Sequence, residues 1–300
     1  MTKRIYILFL TLLFTQLVFG QFIGKDAVSK ALFYLQKNEL DSAKKYIDEA
    51  DLDQELIIQP KTWYYKALIY KDLYKLNEKD NKNSPLRLTA VESLKKLNEV
   101  DTQKEFSESA QKMMTYLAST YYNDAARSLN PQSYKNAEDY YAKYRELMLY
   151  STTNVILLQQ DVKFKLALAS MLNQDLERQQ KKDSLKVLEV LNLYNTVLSI
   201  DTTNGTAYYS IGIQHYNEAA DLINNMDYDM DLEKLDAMQD ICINLFLQSL
   251  PYMLKSYELE WNLKETLIGL INIYHGLNDS EKEEFYKNKL KALELEQENK

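Results

Sequence analysis

Apolar residues recur at three- and four-residue spacing along almost the whole chain after residue 25, broken only by short polar stretches. A pattern of that period puts one buried stripe on each helix, and no segment shows the sustained alternation of a strand, so the body is all-α. Turn-forming residues agree with this. Six glycines and four prolines among 300 residues compare with roughly 21 and 15 at average usage, too few for a hairpin-rich β fold. With 46% hydrophobic and 27% charged residues, the chain can bury a core and is not disordered by composition. The formal net charge of −8 disfavours a nucleic-acid surface. A single cysteine, Cys242, excludes a disulfide framework within the chain and any multi-thiolate zinc site. Set in ICINLFLQSL, it reads as a small buried hydrophobe.

Residues 1–20 have the layout of a secretory signal peptide. Lys3 and Arg4 precede an apolar run from Ile5 to Phe14, and Val18 and Gly20 offer small residues before a cut that leaves Gln21 first. An uncleaved anchor is the alternative, and it would be the chain's one link to a membrane. In either case the body, 21–300, is expected to be exported. No cysteine follows the leader, so a lipid anchor is not expected and the location is periplasmic or secreted.

The periodicity predicts helices over 26–37, 41–53, 60–76, 86–100, 106–129, 132–150, 154–180, 183–200, 206–225, 231–260, 263–276 and 280–297. Asp41 and Ser42 are suited to cap the second of these, and Pro60 to open the third, where its missing N–H costs nothing. Pro251 stands inside an apolar run and predicts a kink or break near 247–251. The helices fall into consecutive pairs, and the pairs repeat a spacing of small and aromatic residues. Ala31 and Tyr34 lie three apart in the first pair, and its second helix has Ala43, Ile47 and Ala50. Trp63, Lys66, Ala67 and Tyr70 follow in the second pair, with Ala90, Leu94 and Leu97. The third has Leu117, Ala118 and Tyr121, then Ala137, Tyr141 and Tyr144, and the fifth has Tyr208, Ile211, Gly212 and His215.

In these residues the chain resembles the tetratricopeptide repeat (TPR) family, whose pattern is W-x2-L-G-x2-Y, then A-x3-F-x2-A, then P. The resemblance spans about 26–295. It is weakest in the first helix of the fourth pair and the second helix of the sixth, and Thr102, Thr202 and Trp261 replace the terminating proline. It implies a right-handed α-solenoid of about six TPR-like helix-turn-helix pairs, forming one repeat domain over 21–300. Such stacks hold partners on an extended concave surface.

Residues able to carry chemistry are few. The two histidines lie 60 positions apart, and no phosphate loop, G-x-S-x-G or H-E-x-x-H occurs, so no enzyme, cofactor or metal is expected. Asp227, Asp229 and Asp231 alternate as in a calcium loop, but Leu232 stands where the glycine is needed and Met238 where the bidentate glutamate belongs. The better reading is a helix connection whose last Asp caps the next helix. Tyrosine is abundant, at 24 of 300. The resemblance places the first helix of each pair along the concave groove, which implies Tyr64, Leu68 and Lys71 there, with Tyr122 and Asn123, and Tyr209, Ile213, Tyr216 and Asn217. Paired Tyr and Asn offer a ring beside an amide that donates and accepts. A clamp for acidic peptide C-termini is absent, because Val28 and Leu32 occupy its Lys and Asn positions. The expected function is therefore an exported, non-enzymatic TPR scaffold for a protein or peptide partner. The alternative is a cell-envelope binder of a small ligand, glycan or peptide.

Overall fold

In a computed structural model, residues 26–151, 154–179, 183–227 and 229–298 are described. The leader at 1–20 lies outside them. They form twelve α-helices and, among the described residues, no strand. The helices are α1 Ala27–Gln36, α2 Leu40–Glu49, α3 Pro60–Leu73, α4 Pro85–Val100, α5 Ser107–Arg127, α6 Tyr134–Met148, α7 Asn154–Gln179, α8 Ser184–Ile200, α9 Gly205–Asn224, α10 Leu232–Glu258, α11 Leu263–Gly276 and α12 Ser280–Glu298. The all-α reading is met, and all twelve helices begin within two residues of where the apolar period places them. No described helix is long and apolar enough to cross a membrane.

Contacts divide the chain into two compact units, Met1–Ser128 with Ser133–Asn154, and Leu129–Gln132 with Val155–Lys300. In the first, α1 packs on α2, α3 on α4 and α5 on α6, and successive hairpins meet through α1 with α3 and α3 with α5. In the second, α9 packs on α10 and α11 on α12, with α9 also against α11. The Lys186 ammonium, 2.9 Å from the Asp175 carboxylate, ties α8 to α7. Each unit is thus a stack of helix-turn-helix pairs, the helical-repeat construction that the sequence implied.

The small residues of the repeat make the close contacts. Ala31, Ala67 and Ala118 have no exposed surface. In the second unit the glycines serve α10 in the same way. A Cβ on Gly212 of α9 would lie 2.7 Å from the Met253 side chain and 3.2 Å from its backbone nitrogen, and one on Gly269 of α11 would lie 2.4 Å from the Met253 methyl. Met253, wholly buried, is therefore a wedge seated between two glycines of different helices. The Ser249 hydroxyl donates to the Gly212 carbonyl at 2.7 Å and closes the same contact. Trp261, which stands where the family pattern has proline, packs on Gly205 at the opening of α9. Pro251 lies in α10 without ending it. It is exposed, as is Leu247 one turn earlier, so the carbonyl bond that proline cannot make is lost on the solvent side rather than in the core.

Turn chemistry explains the remaining boundaries. Glu39 rather than Asp41 or Ser42 precedes α2, with no side-chain cap. Asn38 adopts the left-handed conformation (φ 60°), and the Glu39 N–H donates to the Tyr34 carbonyl at 2.9 Å. The chain therefore reverses early, and Asp41 falls inside the first turn, where its charge suits the helix dipole. Asn278 (φ 56°) and the Asp279 N–H, donating to the Tyr274 carbonyl at 2.9 Å, repeat this turn in the last hairpin. Each of these turns also carries a stacked tyrosine pair twelve residues apart, Tyr34 on Tyr46 at 5.2 Å and Tyr274 on Tyr286 at 5.5 Å. Asp231 caps α10 by accepting from the Lys234 N–H at 2.9 Å. Among the described residues no group of three His, Cys, Asp or Glu could hold a metal.

Two basic side chains are buried where the sequence pattern has apolar ones. Lys66, in the leucine position of the repeat, is ion-paired to Asp51 and lies 3.7 Å from Asp48. Tyr70 donates to that same Asp48 at 2.7 Å, and burial and the carboxylate push its hydroxyl up to about 12. Arg87 of α4 is 1% exposed and lies 2.7 Å from Asp124 of α5, itself 3% exposed. The guanidinium also donates to Thr120 at 3.1 Å and to the Lys82 carbonyl, and it lies 3.9 Å from the centre of the Tyr121 ring. Among the described residues its Nε has no hydrogen-bond partner. Lys82 in turn donates to Ser128 at 2.9 Å, and Ser84 caps α4 through the Arg87 N–H at 3.0 Å. The polar stretch 76–85 is thereby fastened to α4 and α5.

Two stability predictions arise here. Gly212→Ala should cost about 1–3 kcal/mol and more than Gly269→Ala, because only the former meets a backbone atom; urea midpoints of the two variants decide this. Asp124→Leu alone should cost about 3–5 kcal/mol by stranding the buried guanidinium, while Arg87→Met/Asp124→Leu should regain most of it. Equal loss in the single and double variants would contradict that account.

Candidate functional site

The nine residues assigned to a groove divide between the two units. In the first unit, Tyr64 of α3 is half-buried and stacks on Phe106, just before α5, with ring centres 4.6 Å apart. Leu68 and Lys71 continue the same side of α3, both half-buried, and the Lys71 ammonium lies 2.9 Å from Asp72. Tyr122 of α5, 36% exposed, leans on the second helix of its own hairpin, 5.1 Å from Tyr144 and 6.4 Å from Tyr141. Asn123 beside it is exposed.

In the second unit the assignment gives a single face. Tyr209, Ile213 and Tyr216 are spaced four and three apart on α9, so they share one side of it, and Asn217 is exposed beside them. Across from them, Glu265, Ile268 and Asn272 are spaced three and four apart on α11 and are all exposed. The Asn272 amide donates to the Tyr216 hydroxyl at 3.1 Å, across 56 residues. The same separation relates Tyr209 to Glu265. Burial first, and then the Glu265 charge, push the Tyr209 phenol up. Two parallel first helices therefore run in matched register, and their shared face offers two phenols, two amides, one carboxylate and two aliphatic side chains.

Glu265, Ile268 and Asn272 were missed from sequence because groove positions were carried only onto the second, third and fifth pairs, and α11 belongs to the sixth. Adding 56 to Tyr209 and Tyr216 gives Glu265 and Asn272, whereas Ile213 and Asn217 carried by the same offset fall on the buried Gly269 and Ile273. A second feature also escaped notice. From Thr115 to Asn123 and from Gly205 to Asn217, first helices α5 and α9 carry no Asp, Glu, Lys or Arg, in a chain where 27% of residues are charged. Part of this neutrality is enforced locally, since the Thr115 and Ser119 hydroxyls donate back to the carbonyls of Gln111 and Thr115 at 2.9 and 2.8 Å.

Three concavities lie elsewhere. One of about 400 Å³ is bordered by Leu97, Asp101, Lys104, Gln111, Met114 and Tyr150. The Asp101 carboxylate there is already occupied by the N–H groups of Glu105 and Phe106, each at 2.9 Å. A second, about 650 Å³, opens beside Asn38, Glu39 and Asp72. The third, about 230 Å³, is apolar and lies beside Cys242, whose thiol burial pushes up. His215 borders none of the three. Its ring centre is 6.3 Å from that of Tyr252, and burial lowers its pKa against the opposing charge of Glu218.

The fold thus defines a protein built of stacked helix pairs. No protein-family model matches the chain, and no curated protein matches it. Among solved structures it is similar to a monomeric IFIT1 mutant with m7Gppp-AAAA, at 14% identity and a TM-score of 0.32. It is also similar to a monomeric IFIT1 mutant with Gppp-AAAA, at 15% identity and a TM-score of 0.29. Each match covers 87% of this chain and 58% of that chain, so the chain spans less than two thirds of the length of these structures. At such scores no residue role transfers.

The lowered pKa of His215 sets a sign. Below the ordinary imidazole value of about 6.5 the unfolded chain takes up the proton first, so the histidine's contribution is full above that pH and is lost as pH falls. Between pH 7.5 and 5.5 the urea midpoint should therefore shift in favour of His215→Phe relative to the parent; a constant difference would contradict the burial.

Proposed function

We propose that the chain is an exported, non-enzymatic scaffold that holds a protein or peptide segment against its first-helix faces. The observation that carries this is the α9–α11 face, where Tyr209, Ile213 and Tyr216 meet Glu265, Ile268 and Asn272 in matched register. Rings flanked by amides suit an extended segment, whose apolar side chains rest on the rings while its peptide groups bond to Asn217 and Asn272. The export reading rests on Lys3, Arg4 and the apolar run after them.

The absence of catalysis is supported by the environment of His215, which burial and a tyrosine ring surround outside the clefts described. A partner other than nucleic acid is supported by α9, which has no Lys or Arg along its length, whereas binding to phosphates draws on clustered cations. The uncharged hydroxyl-and-ring character of the face favours one second reading, a neutral glycan stacking on the tyrosines.

Affinity capture of residues 21–300 from the native cell envelope, with Tyr209→Ala/Tyr216→Ala alongside, tests the proposal. A stoichiometric protein retained by the parent and lost by a variant of unchanged circular dichroism is the expected result. Capture of nothing by either, with a change in tyrosine fluorescence on adding millimolar oligosaccharide, would replace the scaffold with the glycan reading.

A further inference from the structure

The third cleft differs in chemistry from the first-helix face. Ile223 and Met226 at the end of α9, Leu235, Met238 and Phe246 of α10, and Gly276 at the end of α11 enclose about 230 Å³. That is below the ~300–1,000 Å³ typical of sites for whole small molecules, and it leaves room for one or two apolar side chains. Gly276 lets the Phe246 ring pack directly on the α11 backbone, where any Cβ would clash with it. Around the cleft the apolar surface continues outward, through Ile223 at 42% exposure and Leu232 at 77%.

The stretch of chain that supplies most of the lining is acidic between the lining residues. Residues 223–243 hold six acids, Asp227, Asp229, Asp231, Glu233, Asp236 and Asp240, and one base, Lys234. All six acids are exposed. Lys234 is engaged by Asp231 at 2.9 Å. Beyond Gly276, the Glu283 carboxylate lies 3.1 Å from the His275 ring nitrogen and is paired to Lys287 at 2.6 Å. An apolar socket set in an unbalanced acidic stretch has the form of an interface in which a buried anchor supplies affinity and surrounding charges steer the approach.

We propose that this cleft receives a large apolar side chain from a lysine- or arginine-rich amphipathic segment of a partner protein. The apolar residues of that segment, at helical spacing, enter the socket and rest on Ile223 and Leu232, while its cations face Asp227, Asp229 and Asp236. The cleft opens on a different set of side chains from the tyrosine face, although the Tyr216 ring lies 6.0 Å from that of Phe246 and backs one of its walls.

The probe is a fluorescein-labelled peptide with leucines at i, i+3, i+4 and i+7 and lysines elsewhere, titrated with residues 21–300 and read by anisotropy. Saturable binding is expected, weakened by salt, as is no binding of the same leucine pattern with glutamates in place of lysines. Ile223→Asn/Met226→Asn should weaken binding roughly tenfold or more, as loss of an anchor contact does. Asp227→Asn/Asp236→Asn, two exposed changes that leave the core alone, should weaken it about three- to tenfold at low salt and flatten the salt dependence. Glu55→Gln/Glu92→Gln in the first unit, which changes the net charge by the same amount, should bind as the parent does. Equal binding of the acidic peptide, equal weakening by Glu55→Gln/Glu92→Gln, or no saturable binding would overturn the proposal. So would parent self-association that Ile223→Asn/Met226→Asn abolishes, which would make the occupant a second copy.

Discussion

Two helices can share a tight hairpin only where one of them has almost no side chain at the crossing. Ala31, Ala67, Ala118 and Gly212 supply that gap at successive first helices, and every other arrangement described follows from it. Once the backbones approach there, the aromatic residue three positions on has a defined space to fill, as Tyr34, Tyr70 and Tyr121 do. The second helix is then held at a fixed depth and its own small residues, Ala43, Ala90 and Ala137, come to lie against the first. A larger residue at any of these points would force the pair apart and move the neighbouring hairpin with it, because interiors of this density do not absorb an added methyl group locally. Met253 shows the complementary solution. A long unbranched side chain occupies the space left by two glycines on two different helices, so α9 and α11 are spaced by one residue of α10, and the matched register of their outer faces depends on it.

Much of this was legible in the sequence, because hairpin packing is local and periodic. Apolar spacing placed the helices, and the small-aromatic spacing placed their crossings. What was not legible depended on residues distant in sequence. Arg87 and Asp124 are 37 positions apart, and neither breaks the apolar period of its helix in a way that separates it from an exposed charge. Lys66 in a leucine position was a visible departure, but nothing in the sequence said that Asp51 would receive it. The caps divided along the same line. Asp231 was readable because its partner is three residues on, whereas Asp41 and Ser42 were displaced by a left-handed Asn38 whose effect is set by the preceding helix.

For the candidate site, the repeat pointed to the α9 half alone, and no groove position was carried onto the sixth pair, which keeps Leu270 and Tyr274 in its first helix but lacks the repeat's small residues in its second. Its geometry survives in other residues. Tyr274, Asn278 and Tyr286 reproduce the turn and ring stack of Tyr34, Asn38 and Tyr46, so the first and last hairpins are alike where they reverse and differ along their lengths. Tyr122 could not be oriented from the sequence, because a tyrosine beside the packing position can turn toward its own partner helix, and Tyr141 and Tyr144 provide the surface for it.

The fastening of residues 76–85 bears on how this chain could be shortened. A polar, glycine-free surface stretch between two helices is ordinarily the first place to trim, since such segments tolerate deletion where their backbone makes few bonds. Here the stretch supplies a carbonyl to a guanidinium sealed from water, a lysine to Ser128 and the cap of α4. Removing it would leave a cation in the interior with one of its acceptors gone. A minimal version of the first unit has to replace Arg87 and Asp124 together with the excised segment, so these residues form one unit of inheritance although they are scattered over fifty positions.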